Sequence, residues 1–578
     1  VSSTTPAAAA AAAESAPLPV FPDAFNLADY YLFDRLSEGL GDKTAIRFGA
    51  QTFSYRAVCE KALAFAAALA DADVRRGERV LVVLTDIPPF AWAFFGVLAR
   101  GAVIAMGNPH ASADQIAYLV AYTRATAVVT VPRVAEDLRA RVRAGELSAE
   151  LRRIFVAPEA ATGEDAEARA GIEPCELVRD LGDAIVTAQK LSDRAGGAPR
   201  GRLPTHRDEP AIWLFTSGST GEPKANVHTH RDFAFNTEVY AKGTVGYARD
   251  DVSISVPRLF FGYATGTNLL FPFAVGATAA LFSERPTPES LVWALETYRP
   301  TVVTNVPTML GKLLDYDDEQ RRLGKPGLDL ASVRFSLSAG EALPEALLRR
   351  WLDRFGSDVY DGIGSAEMFH IYASNRPGDI KPGSLGRAVR GYELRILPEA
   401  ADGSAAEPCP PGEIGVLWVR GDSVSLGYWL DRGKSFRTFH GHWCRTGDLF
   451  RIDRDGYLYF AGRADDLIKV SGQWVSPLEV EECLLTHDAV SLAAVIGIEH
   501  EGLTKPKAFV VCRSGITPSA ALDAELKAWV KERLAMHKYP RVIEFVPDLP
   551  KNDRGKVDKK LLRAEEAAQA RRGPGGAP

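Results

Sequence analysis

Apolar residues along this chain fall in short runs that end in loops of small residues, and between the runs they recur at helical spacing. RVLVVLTD (79–86) reads as a strand, 88–100 as an apolar helix, and AVIAMGNP (102–109) as a second strand. The alternation recurs with AIWLFTSGSTG from Ala211, TAALF from Thr278, PTVVTNVPTML from Pro300 and VRFSLSAGEALP from Val333. Strands that are apolar on both faces and alternate with helices predict parallel sheets flanked by helices, with ligands held in loops beyond the strands' carboxyl ends. After about Pro382 the texture changes to short alternating strands with Gly and Pro turns: YELRIL, GEIGVLWVRG and LFRIDRDGYLYFAGR. This predicts a small antiparallel β subdomain. A charged turn, Arg463-Ala464-Asp465-Asp466, then precedes a mixed remainder, VEECLLTH, LAAVIGI, AFVVCR and LDAELKAWVKERLA.

The expected fold is therefore a large α/β N-terminal domain that includes the antiparallel subdomain, followed by a smaller α+β C-terminal domain. The expected divisions are a disordered Ala/Pro-rich leader over 1–25, the large domain over 26–464, the small domain over 465–563 and a flexible tail over 564–578. A chain of 578 residues is above the usual size of one domain, in keeping with that division. The 68 Lys plus Arg against 74 Asp plus Glu leave a formal charge of -6, so there is no basic excess to hold a nucleic-acid backbone. Six cysteines are scattered without a C-x-x-C pair, which suggests neither a disulfide framework nor a zinc knuckle and points to a cytoplasmic location. The first basic residue is Arg35, so the opening stretch lacks the charged start of a signal peptide. One uncharged run, 259–282, has 24 residues and could span a bilayer by length. Gly262, Gly266, Pro272 and Gly276 interrupt it, and buried strand and helix of an α/β core is the expectation, with no membrane association.

Chemistry first shows at Thr216-Ser217-Gly218-Ser219-Thr220-Gly221-Glu222-Pro223-Lys224, directly after the strand AIWLF. Hydroxyls, glycines that permit close backbone approach, and a cation make a cradle for a polyphosphate. It is not a Walker A loop, because Lys224 follows Pro223 and precedes Ala225. Alone, the stretch reads as a solvated turn. Four more stretches accompany it in order: Tyr360-Asp361-Gly362-Ile363-Gly364-Ser365-Ala366-Glu367, Trp443-Cys444-Arg445-Thr446-Gly447-Asp448, Gly462-Arg463-Ala464-Asp465-Asp466 and Pro550-Lys551-Asn552-Asp553-Arg554-Gly555-Lys556.

Together the five resemble the adenylate-forming superfamily of acyl-CoA synthetases, peptide-synthetase adenylation domains and luciferases, over roughly residues 26 to 563. FNLADYYLFDR, GIGSAEMFHIYASNRPGDIKPGSLG and KVSGQWVSPLEVEE resemble the benzoate-CoA ligase group within it. The resemblance implies an ATP-dependent aryl-CoA ligase: an aromatic carboxylic acid is joined to AMP with release of pyrophosphate, and coenzyme A then displaces AMP. It implies Lys556 between carboxylate and α-phosphate, with Lys224 in the phosphate cradle, and Glu367 with help from Thr216 on a magnesium ion (Mg2+). It places Asp448 and Arg463 on the ribose, and Gly340, Glu341, Asp361, Gly362 and Ile363 around the adenine. The implied acyl pocket is Gly262, Tyr263, Ala339, Gly364, His370 and Ile371, small residues leaving room for a flat ring and His370 donating a hydrogen bond. The small domain is expected to be mobile, rotating about Asp465 between the half-reactions to bring Ser471, Gly472 and Trp474 to a coenzyme A tunnel.

The chain departs from the pattern at four places. Ala366 stands where a threonine hydroxyl usually bonds the α-phosphate, which leaves that bond to Ser365 or water and predicts a slower first step. Ile363 replaces an aromatic residue, and Ala225 a glycine. Gly262 stands where benzoate-type relatives commonly carry alanine, which suggests extra room for a ring substituent. Two alternatives remain open at this point: a stand-alone enzyme that loads an aryl group onto a carrier protein, and a weakly active or non-catalytic acyl-AMP binding homologue. Either a monomer or a homodimer is compatible with the sequence.

Overall fold

The computed structural model describes residues 17–148, 150–194, 201–217, 222–341, 343–401, 403, 405–463, 468–470, 473–500, 503–513, 515–550 and 557–572. The chain divides into two compact units, one made of Val1–Leu343, Leu347–Leu394 and Val419–Cys444, the other of Pro344–Ala346, Arg395–Trp418 and Arg445–Pro578.

Two mostly parallel sheets build the first unit. One runs in the order Val178–Asp180, Arg153–Val156, Ala127–Thr130, Arg79–Val83, Val103–Met106, Pro210–Ser217, Pro223–Thr229, and only its last strand is antiparallel. The other runs Arg387–Ala388, Ile371–Ser374, Val359–Gly364, Phe335–Ala339, Val302–Asn305, Val252–Ser255, Thr278–Leu281, Thr44–Phe48, Gln51–Ser54, with antiparallel strands confined to its two edges. The continuous apolar strands predicted from sequence are those of the sheet interiors, where Val103–Met106, Ala127–Thr130, Thr278–Leu281 and Val302–Asn305 are buried at every position. The helix Pro88–Ala99, PPFAWAFFGVLA, is buried all round, with prolines in its first turn where their missing N–H groups cost nothing. The uncharged run 259–282 folds as three short helical segments and the strand Thr278–Leu281, nearly all buried. No helix of the described residues is long and apolar enough to cross a membrane.

The packed chain starts before position 26. The Phe25 N–H donates to the Thr205 carbonyl at 3.1 Å, and the Phe21 and Phe25 rings lie 5.0 Å apart.

In the second unit the long strands Val490–His500 and Leu503–Cys512 pair antiparallel, and Val542–Phe545 joins the latter in parallel. Helices Pro477–Leu485 and Ala520–Arg533 cover a core that includes Val480, Leu484, Leu526 and Val530. Antiparallel strands from the segments 395–418 and 445–463 belong to this unit as well, so the β-rich stretch groups with the chain's last hundred residues rather than with the parallel sheets. The helix Lys559–Arg572 carries regular structure past position 564, where a tail was expected. Glu566 on that helix and Glu544 both pair with the buried Lys507 ammonium, the latter at 2.7 Å.

Candidate functional site

The strand Pro210–Ser217 turns back as Pro223–Thr229, with Thr216 opposite Lys224 and Ser217 opposite Pro223. The predicted phosphate loop is thus the tip of a β-hairpin. Gly218, Ser219, Thr220 and Gly221 lie outside the described residues. The Thr216 hydroxyl oxygen is buried without a hydrogen-bond partner, a polar group placed for something other than the fold. Lys224 Nζ lies 2.6 Å from Asp431 Oδ2, and this bond holds the Asp431 carboxyl below its ordinary range.

Asp431 reaches Lys224 because the segment 426–431 runs beside the return strand. Leu426 N–H donates to the Val227 carbonyl at 2.9 Å, Val227 N–H to Gly427 at 3.0 Å, and Trp429 N–H to Ala225 at 2.9 Å. The same pairing delivers Tyr428, whose hydroxyl donates to Glu367 Oε1 at 2.7 Å and is held protonated by burial and by that carboxylate. Neither Tyr428 nor Asp431 was singled out from sequence. The available signal was SLGYWLDRGKS, two aromatic residues followed by an aspartate whose carboxylate caps the helix Arg432–Thr438 by accepting from Lys434 N–H at 3.0 Å.

Glu367 sits on a short 3-10 turn, Ala366–Met368, after the strand Val359–Gly364. The hairpin's outgoing strand packs against this turn. Ser365 Oγ, beside it, is also buried without a partner. A hard cation fits this donor set: a carboxylate oxygen on one side, an unpartnered buried hydroxyl on the hairpin, and most ligands left to phosphate and water. Among the described residues, no group of three or more His, Cys, Asp and Glu could hold an ion by itself.

The five adenine candidates lie at the carboxyl ends of neighbouring strands, as expected for a parallel sheet. Ala339 pairs with Gly362 and Ser338 with Asp361, and Gly340 and Glu341 follow directly. Ile363 lies one position beyond Gly362. Glu341 Oε2 accepts the Thr308 hydroxyl at 2.6 Å at the start of the helix Pro307–Arg322. Asp361 is buried, its Oδ1 has no partner, and burial pushes its carboxyl up to about 8, against an opposing influence from Ser338. Burial therefore favours the protonated, uncharged form of this carboxyl.

The acyl candidates come together in part. Gly364 pairs with Ile371 across an antiparallel edge, and a side chain at 364 would strike the backbone of His370. His370 is buried among the rings of Tyr240, Tyr263 and Phe271, with ring centroids 5.7, 5.4 and 4.8 Å away. Burial pulls it down to about 4, so the ring is neutral, and its Nε2 donates to the Tyr263 carbonyl at 3.1 Å. Its one N–H is therefore spent on the protein. Nδ1, buried and without a partner, is an acceptor, which corrects the expectation that His370 donates to a ligand. The Tyr263 hydroxyl is likewise buried without a partner. The room expected at Gly262 is taken: a methyl there would stand 2.9 Å from Leu214 Cδ1 and 3.2 Å from Cδ2. The missing alanine methyl is replaced by the leucine side chain of the phosphate strand rather than by open space.

In the second unit Asp448 and Arg463 face each other across paired strands, Arg463 Nε lying 3.4 Å from Asp448 Oδ1 with both partly exposed. Trp474 is on the strand Gln473–Val475, opposite Lys469. Asp465, Ser471, Gly472 and Lys556 lie outside the described residues.

Known proteins share this chain's sequence and fold. The AMP-binding enzyme family matches residues 33–429, and the AMP-binding enzyme C-terminal domain matches residues 479–556. The benzoate–CoA ligase of Thauera aromatica is 38% identical, over 94% of this chain and 96% of its own. The crystal structure of an anthranilate CoA ligase in complex with anthranoyl-AMP superposes with a TM-score of 0.84 at 33% identity, covering 95% of this chain and 99% of that one. A benzoate CoA ligase from Burkholderia xenovorans superposes with a TM-score of 0.80 at 36% identity, covering 93% of this chain and 100% of that one.

Proposed function

We propose that this chain, which belongs to the AMP-binding enzyme family, is an aryl-CoA ligase that makes aryl-CoA, AMP and pyrophosphate from an aromatic carboxylate, ATP and coenzyme A through an aryl-adenylate. The observation that carries the reading is the assembly within one unit of a phosphate hairpin bearing Lys224 and Thr216, the Glu367 turn packed on it, and a buried aromatic wall containing Tyr263 and His370.

A carboxylate oxide is a poor leaving group, so the acid is first joined to AMP. In that step two anions approach, and the need is for positive charge and fixed geometry more than for a base. Lys224 supplies charge at the hairpin, exchanging its Asp431 partner for phosphate oxygens, and the Thr216 hydroxyl finds its missing partner there. Glu367 and Thr216 would hold Mg2+, which when bound neutralises the polyphosphate and leaves pyrophosphate easier to expel. The Asp361 carboxyl, with its Oδ1 unpartnered and burial favouring the protonated form, offers one hydrogen bond to a purine edge beside Gly340, Glu341, Gly362 and Ile363. Asp448 is read as the acceptor for ribose hydroxyls with Arg463 beside it, and Lys556 as the cation between carboxylate and α-phosphate. For the second step we propose a rotation about Asp465 that withdraws Lys556 and brings the loop with Ser471, Gly472 and Trp474 to the thiol's path. The relative solved with anthranoyl-AMP supports an aryl-adenylate as intermediate. Benzoate-dependent exchange of labelled pyrophosphate into ATP tests the first half-reaction, and absence of exchange with every aromatic acid would refute it.

A further inference from the structure

His228, on the hairpin's return strand, is completely buried and takes no part in the roles assigned above. Its Nδ1 lies 2.9 Å from Asp232 Oδ2, and its Nε2 lies 2.6 Å from the Ala366 carbonyl oxygen. A backbone carbonyl only accepts, so Nε2 is the donor to Ala366, and the Asp232 carboxyl holds the other side of the ring. Asp232 is fixed in turn by Thr229, whose N–H donates to Oδ2 at 3.0 Å and whose hydroxyl donates to Oδ1 at 2.6 Å, at the start of the helix His230–Asn236.

The Ala366 carbonyl is the first of three in succession that are held. The Glu367 carbonyl accepts from Ser425 N–H at 2.9 Å, and the Met368 carbonyl accepts from the Ser423 hydroxyl at 2.7 Å and His370 N–H at 3.0 Å. The next residue, Phe369, has a φ of +72°, a left-handed conformation unfavourable for an aromatic side chain and sustained only by such anchoring. Alanine at 366 has no side-chain polar group with which to fix the turn. The peptide joining it to Glu367 is oriented through its carbonyl, and the group that orients it sits on the same strand as Lys224.

We propose that His228, aligned by Asp232, is a positioning residue that sets the Ala366–Glu367 peptide, and with it the Glu367 carboxylate, relative to the phosphate hairpin. The inference rests on the reading of Glu367 as the metal and phosphate contact. Buried groups that orient a ligand this way typically change metal affinity or activity by about 10- to 100-fold when removed.

The test compares His228→Asn, whose amide stands near the Nδ1 position and reaches only Asp232, with His228→Gln, whose amide nitrogen stands near the Nε2 position and can still donate to Ala366. Three quantities are read on the full-length protein: benzoate-dependent pyrophosphate exchange at varied MgCl2, transfer of supplied benzoyl-AMP to coenzyme A, and amide hydrogen exchange over 365–370 without ligands. The expected result for His228→Asn is an exchange kcat lower by about tenfold, a raised half-saturating Mg2+ and faster amide exchange at 365–370, with KM for benzoate and the transfer step little changed. His228→Gln is expected to stay within about threefold of the parent, since it keeps the bond to the turn. Equal losses in the two variants, or unchanged amide exchange at 365–370 beside a lowered melting temperature, would reduce His228 to a structural role. The amide-exchange comparison needs no turnover, so it decides the positioning claim even if the parent fails to adenylate benzoate.

Discussion

Replacing Asp361 with asparagine should stabilise the protein, and by an amount that grows with pH. The carboxyl is buried with one oxygen unpartnered, and burial lifts it from an ordinary value of 3.8 to about 8. A group whose folded value is raised contributes stability that is complete below the unfolded value and lost as pH rises toward the folded one. At pH 7 the unfolded chain gains from ionising this acid and the folded chain does not. Over the roughly three pH units above the ordinary value, each worth about 1.4 kcal/mol, the penalty is about 4 kcal/mol. Asparagine resembles the protonated acid in shape and carries no such penalty. The gap between variant and parent should therefore widen from between one and two kcal/mol at pH 5 to about 4 kcal/mol at pH 7, and stop widening above the folded value near 8. Urea titrations of both proteins at pH 5, 6, 7 and 8, followed by fluorescence of the buried Trp351 and Trp418, measure it. A gap that does not change with pH would show that Asp361 is already ionised in the folded protein and that its assignment as a neutral partner for the purine is wrong.

Other consequences are nearer the chemistry. Tyr428→Phe removes the hydroxyl 2.7 Å from Glu367, and adenylation should slow by about tenfold with KM for the acid unchanged; an unaltered rate would mean the carboxylate needs no such support. Because His370 Nδ1 is an unpartnered acceptor, hydroxy- or aminobenzoates with a donor in reach should show a kcat/KM about tenfold above methyl- or chlorobenzoates of the same pattern. Parity at the ortho, meta and para positions alike would remove His370 from substrate selection. Lys556→Ala should abolish adenylate formation while leaving transfer from supplied aryl-AMP to coenzyme A nearly intact, and equal loss of both steps would refute that division of labour.

The strands were legible because a strand buried on both faces is written as an unbroken apolar run, and the interior strands Val103–Met106 and Val302–Asn305 are of that kind. The phosphate hairpin, the Glu367 turn and the Asp448–Arg463 pair were legible as motifs, because each depends on residues adjacent in sequence or on a short connection. What escaped notice depends on contacts between distant segments. Tyr428 and Asp431 acquire their roles only when 426–431 pairs with the strand Pro223–Thr229, and no local pattern announces that pairing. Gly262 suggested space because the glycine was visible in the sequence and Leu214, which fills the space, was not connected to it. His370 was recognised as a pocket residue, but which nitrogen is free depends on the Tyr263 carbonyl, a backbone group that side-chain identity does not reveal.

One chain turning an aromatic acid into a thioester by way of AMP must release three products together. Incubating the protein with ATP, MgCl2, coenzyme A and either benzoate or a hydroxy- or aminobenzoate, and quantifying AMP, pyrophosphate and aryl-CoA together, measures this directly. The expected result is equal amounts of the three products, dependence of AMP release on the aromatic acid, and little turnover with octanoate. Aryl-AMP accumulating without thioester, or octanoate turned over as well as the aromatic acids, would contradict it.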